Sequence, residues 1–150
     1  LDYRLSWLEL TILNNLSAAY ADSSTPSVGI QYFYKILEYL KLNNIDILFY
    51  RRIYGITLTL LFRRLYRYSR YSEMIELYSS LSSSSICIMQ DVRSSANIYA
   101  HLCQAFGECK YTDKMIIIAH YSCSCYKLYN SDKSEYLLKS IYEDFNINIY

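Results

Sequence analysis

The chain has 150 residues, of which 53% are hydrophobic and 19% are charged, and its formal net charge is +1. This composition is typical of a globular domain and excludes a disordered chain, while the near-zero charge gives no general electrostatic case for binding nucleic acid or a membrane surface. Three Gly and one Pro are too few turn-forming residues for a sheet protein, so we expect an all-α fold.

The five cysteines form an odd set without the spacing of a secreted disulfide framework, and no signal peptide precedes them. We therefore expect a cytoplasmic protein with free, mostly buried thiols. No apolar run approaches the roughly 20 residues of a membrane span, so no membrane partner is expected. Because the sequence starts without Met and within a helical pattern, we also expect it to be a piece of a longer protein.

Apolar residues recur at steps of three and four along most of the chain, which predicts helices. The first helix is expected over about 5–21. Thr25 and Pro26 then provide the N-cap and the first residue of a second helix, which ends near residue 41. The apolar stripe of the first helix is expected to contain Trp7, Leu10, Leu13, Leu16 and Tyr20.

The same periodicity continues to the end of the chain and predicts further helices, to make about seven. They are expected over about 47–68, 72–81, 92–109, 112–128 and 133–145. Ser72 is the expected cap of the fourth helix, and the serine run at 82–85 is expected to end it. Residues 146–150 are compatible with an extended tail.

Three segments of this pattern align with one another. Leu16, Leu61 and Leu102 take equivalent places in a first helix, followed four residues later by Tyr20, Leu65 and Phe106. The equivalent places in the second helix are taken by Gly29, Met74 and Met115, then by Phe33, Tyr78 and Ala119, and then by Ile36, Leu81 and Ser122. An irregular bundle of amphipathic helices would share the periodicity, but the common register favours stacked helix pairs.

These positions resemble the tetratricopeptide repeat, in a degenerate form. Gly29 and Ala119 are small as that repeat requires, whereas Met74 and Met115 stand where Ala is usual. The leucines are 45 and 41 residues apart, which is longer than the usual repeat of about 34. The resemblance implies a right-handed superhelical stack of antiparallel helix pairs, formed by one repeat domain over residues 1–150.

Three stretches, 7–16, 71–77 and 136–147, resemble the C-terminal regulatory domain of Rgg/PlcR-type bacterial transcriptional regulators of the helix-turn-helix XRE family. The resemblance covers nearly the whole chain and lies in packing patterns. It implies a domain of a quorum-sensing type of regulator that forms a homodimer and binds a short signalling peptide or a protein in its concave groove. DNA would be bound only through an N-terminal domain that is absent from this chain.

In a tetratricopeptide stack the first helix of each pair lines the concave face, so residues beside its packing stripe point into the groove. An Asn amide offers a donor and an acceptor to a peptide backbone, and Arg binds a carboxylate in a bidentate manner. An ordinary solvated helix face would carry the same residues, and that alternative stays open. The groove candidates are Asn14, Ala18, Arg63, Tyr66, Arg67, Asn97, Gln104 and Glu108.

Other chemistry has less support in the sequence. Cys123 and Cys125 follow His120, but two residues on a helix diverge by about 200°, so we expect no zinc site and no cofactor. The arginines near 51–70 alternate with tyrosines, which suits nucleic acid, yet a solvated face is favoured by the neutral total charge. No nucleophile elbow or Gly-rich phosphate loop is present, so we do not expect an enzyme.

The leading hypothesis is therefore the sensory domain of a transcriptional regulator. The alternative is a stand-alone tetratricopeptide-repeat adaptor that scaffolds protein–protein interactions without a link to DNA. An α-helical enzyme is a third class with weaker support.

Overall fold

A computed structural model of the chain describes residues 4–43, 48–81, 92–129 and 132–146. These residues form seven α-helices and contain no β-strand, which confirms the all-α prediction. The helices are α1 (Trp7–Ala21), α2 (Pro26–Leu42), α3 (Leu48–Arg67), α4 (Tyr71–Ser80), α5 (Val92–Glu108), α6 (Thr112–Tyr129) and α7 (Asp132–Asp144). The serine run at 82–85, residues 147–150 of the predicted tail and Cys87 lie outside the described residues.

The helix starts differ from the predicted ones in their capping. Ser6 caps α1 through a reciprocal capping box with Glu9, in which each residue accepts from the backbone N–H of the other. Pro26 is the first residue of α2, as predicted, but the Thr25 side chain makes no capping hydrogen bond. The prediction of Ser72 as a cap is wrong, because α4 begins at Tyr71 with Arg70 in the cap position.

The chain divides into two compact units. Residues 4–64 of the described chain belong to the first unit, and residues 65–81 and 92–146 belong to the second. Helix α3 contains the boundary between them. The right-handed superhelical arrangement stays a prediction.

In the first unit, α1 and α2 run antiparallel and cross closely. Gly29 near the start of α2 lies against Ser17 and Ala21 near the end of α1. At the other end, the backbone N–H of Leu5 donates to the hydroxyl of Tyr39, with a distance of 2.7 Å. A Cβ on Gly29 would lie 2.7 Å from the Ala21 Cα, so this crossing requires Gly.

The buried stripe of α1 is not the one that the apolar residues predict. Leu10, Asn14, Ser17 and Ala21 are buried, whereas Trp7, Leu13, Leu16 and Tyr20 are 36–49% exposed. The reason is geometric. Steps of three residues turn back about 60° each on a helix of 3.6 residues per turn, so the predicted stripe spreads around α1. The buried set has steps of four, three and four, which keep one face toward α2 and α3.

In the second unit, α5 and α6 also run antiparallel. The Cys103 thiol lies 3.7 Å from the Met115 carbonyl oxygen, and the Ser122 hydroxyl donates to the Ala96 carbonyl over 2.9 Å. Late α5 thus faces early α6, and early α5 faces late α6. Helices α4 and α7 pack against α5 as well, so α5 is the central helix of this unit.

Met74 and Met115, the residues that depart from the tetratricopeptide consensus, are both buried. Their side chains fill space in the core that a small residue would leave to a closer helix approach. In the first unit Gly29 occupies the equivalent position, where the backbone of α1 leaves no space for a Cβ.

Within the described part of the chain, no helix combines the length and the apolar character that crossing a membrane requires.

Candidate functional site

Two of the predicted groove residues meet in the second unit. The Tyr66 hydroxyl on α3 donates to Gln104 Oε1 on α5, with a distance of 2.6 Å. The His101 ring stacks on the Tyr66 ring, with centroids 3.9 Å apart and planes 8° from parallel. Tyr66 also meets the edge of Tyr71 at 6.4 Å. The Tyr66 ring therefore contacts two other rings, and its hydroxyl is directed at α5.

The environment of Tyr66 keeps its hydroxyl protonated. Burial raises the pKa of Tyr66 above its ordinary value of 10.0, and the nearby Tyr71 and Asp144 raise it further. At neutral pH the phenol is therefore a hydrogen-bond donor toward Gln104.

Gln104 is one of four polar residues that follow one line along α5. Asn97, His101, Gln104 and Glu108 are spaced by four, three and four residues, so they lie on one face. All four are half-buried or exposed, while Ala96, Ile98, Ala100, Leu102, Cys103, Ala105 and Phe106 on the other sides are buried. This accessible line, which we call the polar face of α5, extends over about 16 Å from Asn97 to Glu108.

The remaining candidates of the second unit lie at the ends of this face or beside it. Asn97 accepts from the Tyr126 hydroxyl at 3.4 Å, which ties it to the paired helix α6. Glu108 is exposed at the last residue of α5, and Arg67 is exposed at the last residue of α3. Tyr66, Arg67, Asn97, Gln104 and Glu108 therefore belong to one unit, and that they line a common groove stays a prediction.

The other three candidates belong to the first unit. Arg63 is exposed and Ala18 is half-buried. Asn14 is only 2% exposed, so the expectation that it points into a groove is wrong. Its Oδ1 lies 3.0 Å from the Thr57 hydroxyl on α3, and its Nδ2 has no hydrogen-bond partner among the described residues. Asn14 belongs to the packing of α1 on α3 because it is four residues from Leu10 and three from Ser17.

A cavity that the sequence did not indicate opens between α1 and α2. Its volume is about 390 Å³, and its walls include Leu10, Leu13, Leu16 and Ile36. Lys35 and Tyr39, one turn apart on α2, supply polar groups at this cavity. The sequence feature that could have indicated this cavity is the large number of apolar residues in α1. One buried face of a helix cannot hold all of them.

The described cysteines are free, as expected, but the expectation that they are mostly buried is wrong, because Cys103 is buried and Cys109, Cys123 and Cys125 are half-buried. Burial and, to a lesser degree, the neighbouring Cys123 raise the pKa of Cys103 from 9.0 to about 12. Cys123 lies 3.7 Å from the Tyr142 hydroxyl, and burial is the main cause that raises the pKa of Tyr142. A thiol with a raised pKa is a poor nucleophile and a poor metal ligand at neutral pH. Over the described ranges, no three His, Cys, Asp or Glu side chains lie together as a metal site would require.

A comparison of the chain with protein family models, with curated proteins and with solved structures finds no match. The fold and the site therefore define a class only: an all-α protein with paired helices, a polar helix face in one unit and an apolar cavity in the other. The likeness to Rgg/PlcR-type regulators rests on the sequence patterns given above.

Proposed function

We propose that this chain is a ligand-sensing helical repeat domain, the regulatory part of a bacterial transcriptional regulator, which binds a short peptide or a peptide segment of a protein. The observation that carries the proposal is the Tyr66–Gln104 hydrogen bond between α3 and α5. It joins two residues 38 positions apart that the repeat pattern assigns to one groove.

The pair has the chemistry to hold an extended peptide backbone. With Oε1 occupied by the Tyr66 hydroxyl, the Nε2 of Gln104 is left to donate to a peptide carbonyl. The Tyr66 oxygen retains lone pairs that accept a peptide N–H. Because His101 stacks on the Tyr66 ring, both groups are pre-oriented, which reduces the entropy lost on binding.

The length of the polar face of α5 agrees with this ligand. About 16 Å corresponds to roughly five residues of extended chain at 3.3 Å each. Glu108 at one end of the face and Arg67 at the end of α3 are both exposed. Opposite charges of this kind favour a peptide that carries both signs or free termini.

Peptide selection followed by titration tests the proposal. Random heptapeptides displayed on phage are selected on the 150-residue chain, and the best synthetic peptide is titrated by calorimetry. We expect Gln104→Leu to weaken its binding about tenfold, the usual loss for one peptide hydrogen bond in a partly buried site. Gln31→Leu, at an exposed Gln on α2, is the matched control and should bind as wild type does.

Equal affinity for wild type and Gln104→Leu would remove the polar face of α5 from the site. Asn97→Ala is a second probe, because this side chain lies on the same face and is held by Tyr126. Selection that yields no peptide consensus would contradict peptide sensing itself.

The link to transcription is tested on the parent protein. We expect the sequence upstream of residue 1 to contain a helix-turn-helix domain, and the selected peptide to change the affinity of the purified parent protein for its promoter DNA in a gel-shift assay. Peptide binding without DNA binding would support the alternative, a stand-alone repeat adaptor.

Dimerisation through the C-terminal helices is part of the same proposal. Light scattering of the chain over a wide concentration range should give twice the monomer mass of 17.8 kDa. A monomer at every concentration would contradict a homodimer formed by this chain alone.

A further inference from the structure

The cavity between α1 and α2 has an apolar body. Leu10, Leu13, Leu16 and Ile36 contribute to its walls, and its volume of about 390 Å³ lies within the range of small-ligand sites. Leu13 and Leu16 are 36% and 49% exposed, because they face this open space and not the core. A ligand with an alkyl or similar apolar body would remove them from water.

The polar groups at the cavity are donors, and its lining residues within the described chain include no Asp or Glu. Lys35 makes no salt bridge with any carboxylate that the structure describes, and its Nζ lies 5.5 Å from the centroid of the Tyr32 ring, which also lines the cavity. The Tyr39 oxygen accepts the Leu5 N–H at 2.7 Å, which leaves its own hydrogen to donate. Ser17, the remaining polar residue, donates its hydroxyl to the Leu13 carbonyl at 2.7 Å.

We propose that this cavity binds an apolar monocarboxylate of medium chain length, with the alkyl chain against the leucines and the carboxylate on Lys35 and Tyr39. An ammonium and a hydroxyl one turn apart can both donate to the same carboxylate. A neutral or cationic amphiphile of the same length lacks the acceptor or repels Lys35. This site lies wholly in the first unit and does not depend on the peptide site proposed for the second.

Calorimetric titration of the 150-residue chain with sodium decanoate, 1-decanol and decylamine tests the proposal. We expect saturable binding of decanoate, about tenfold tighter than that of decanol, and weaker binding still of decylamine. Lys35→Met keeps the aliphatic length and should bring decanoate to the affinity of decanol. Lys41→Met, on the same helix but outside the cavity, is the matched control and should leave all three affinities unchanged.

Methyl NMR of the wild-type chain locates the ligand, since decanoate should shift the signals of Leu13, Leu16 and Ile36. Three results would overturn the proposal: no saturable binding of decanoate, equal affinity for decanoate and decanol, or the same loss in both lysine variants. Absence of decanoate binding together with a dimer that protects these methyl groups would assign the cavity to a second copy of the chain.

Discussion

At the scale of single residues, Gly29 and Gly107 differ in their surroundings. These surroundings decide how much an added methyl group would lower the stability of the fold. At Gly29 the added Cβ would meet backbone atoms of Ser17 and Ala21, which cannot move without displacing α1 from α2. At Gly107 it would meet Met115 Sδ and Phe145 Cζ, both at 2.7 Å, and these are the ends of side chains. Side-chain ends can rotate away, whereas a helix backbone cannot.

We therefore expect Gly29→Ala to lower the free energy of unfolding by about 1–3 kcal/mol, even though Ala is the better helix former. Gly107→Ala should change it by less than about 1 kcal/mol, because the gain in helix propensity offsets the repacking of two side chains. Urea denaturation followed by circular dichroism measures both. A larger loss for Gly107→Ala would mean that the α1–α2 crossing is not the tighter contact.

Asn14 shows the same dependence on surroundings for a polar side chain. Its amide is buried and its Nδ2 has no partner among the described residues, while its Oδ1 lies close to the hydroxyl of Thr57. A buried amide with one unsatisfied group reduces stability by about 1–3 kcal/mol relative to full pairing. The burial of Asn14 is thus set by the packing of α1 on α3, where its partner Thr57 is 43 residues away in the chain.

Among the helices, α1 is apolar on its inner and outer sides, and this is what made its buried stripe ambiguous. Leu8, Ile12, Leu13 and Leu16 are exposed in the first unit, although apolar content alone would place them inside. The start of α1 is unambiguous, because the Ser6 N–H donates to Glu9 Oε2 at 2.7 Å and the Ser6 hydroxyl accepts from the Glu9 N–H at 3.3 Å.

Ser6 and Thr25 stand at the N-cap positions of α1 and α2, but only Ser6 makes a capping hydrogen bond, so substitution of each should have a different effect. Ser6→Ala should destabilise the chain by about 1 kcal/mol, since it removes the hydroxyl that accepts from the Glu9 backbone N–H. Thr25→Ala should have a much smaller effect, because the Thr25 side chain makes no capping bond to α2. Thermal unfolding of both variants measures the difference. Equal effects would show that the capping box does not contribute to stability.

For the molecule as a whole, buried thiol and phenol groups make the free energy of unfolding depend on pH in the alkaline range. The pKa of Cys103 is raised from 9.0 to about 12 in the folded chain. Above pH 9 the unfolded chain releases this proton and the folded chain does not, so stability falls as pH rises. Below pH 9 the thiol is protonated in both states and its contribution is fully present. Tyr66, Tyr78 and Tyr142, with pKa values raised above 10.0, add to the fall at higher pH.

The test is the free energy of unfolding in urea at several pH values from 8 to 11. Between pH 9 and 10 the wild type should lose at most about 1.4 kcal/mol through Cys103, the limit for one proton per pH unit. Cys103→Ala should be less stable at pH 8 because of its smaller volume, but should lose less stability over this interval. An unchanged slope in Cys103→Ala would show that this thiol does not carry the effect.

Helix content and the approximate helix ends could be predicted from the sequence, because they depend on the local spacing of apolar residues and on composition. The recurrence of apolar residues predicted seven helices with ends close to those found, and Pro26 marked the start of α2. That Tyr66 and Gln104 line one groove stays a prediction, although the structure joins their side chains by a hydrogen bond. His101 was missed, although it lies four residues from Asn97 and three from Gln104.

What the sequence by itself determined is therefore the all-α class and the approximate helix bounds, since backbone hydrogen bonding and side-chain periodicity act over a few residues. Only the tertiary structure decided which face of α1 is buried, that Asn14 pairs with Thr57, and that a cavity with Lys35 and Tyr39 opens between α1 and α2. These features depend on contacts between residues far apart in the chain. When a helix is apolar on two sides, the neighbour that covers one side selects the core face, and the other side stays exposed.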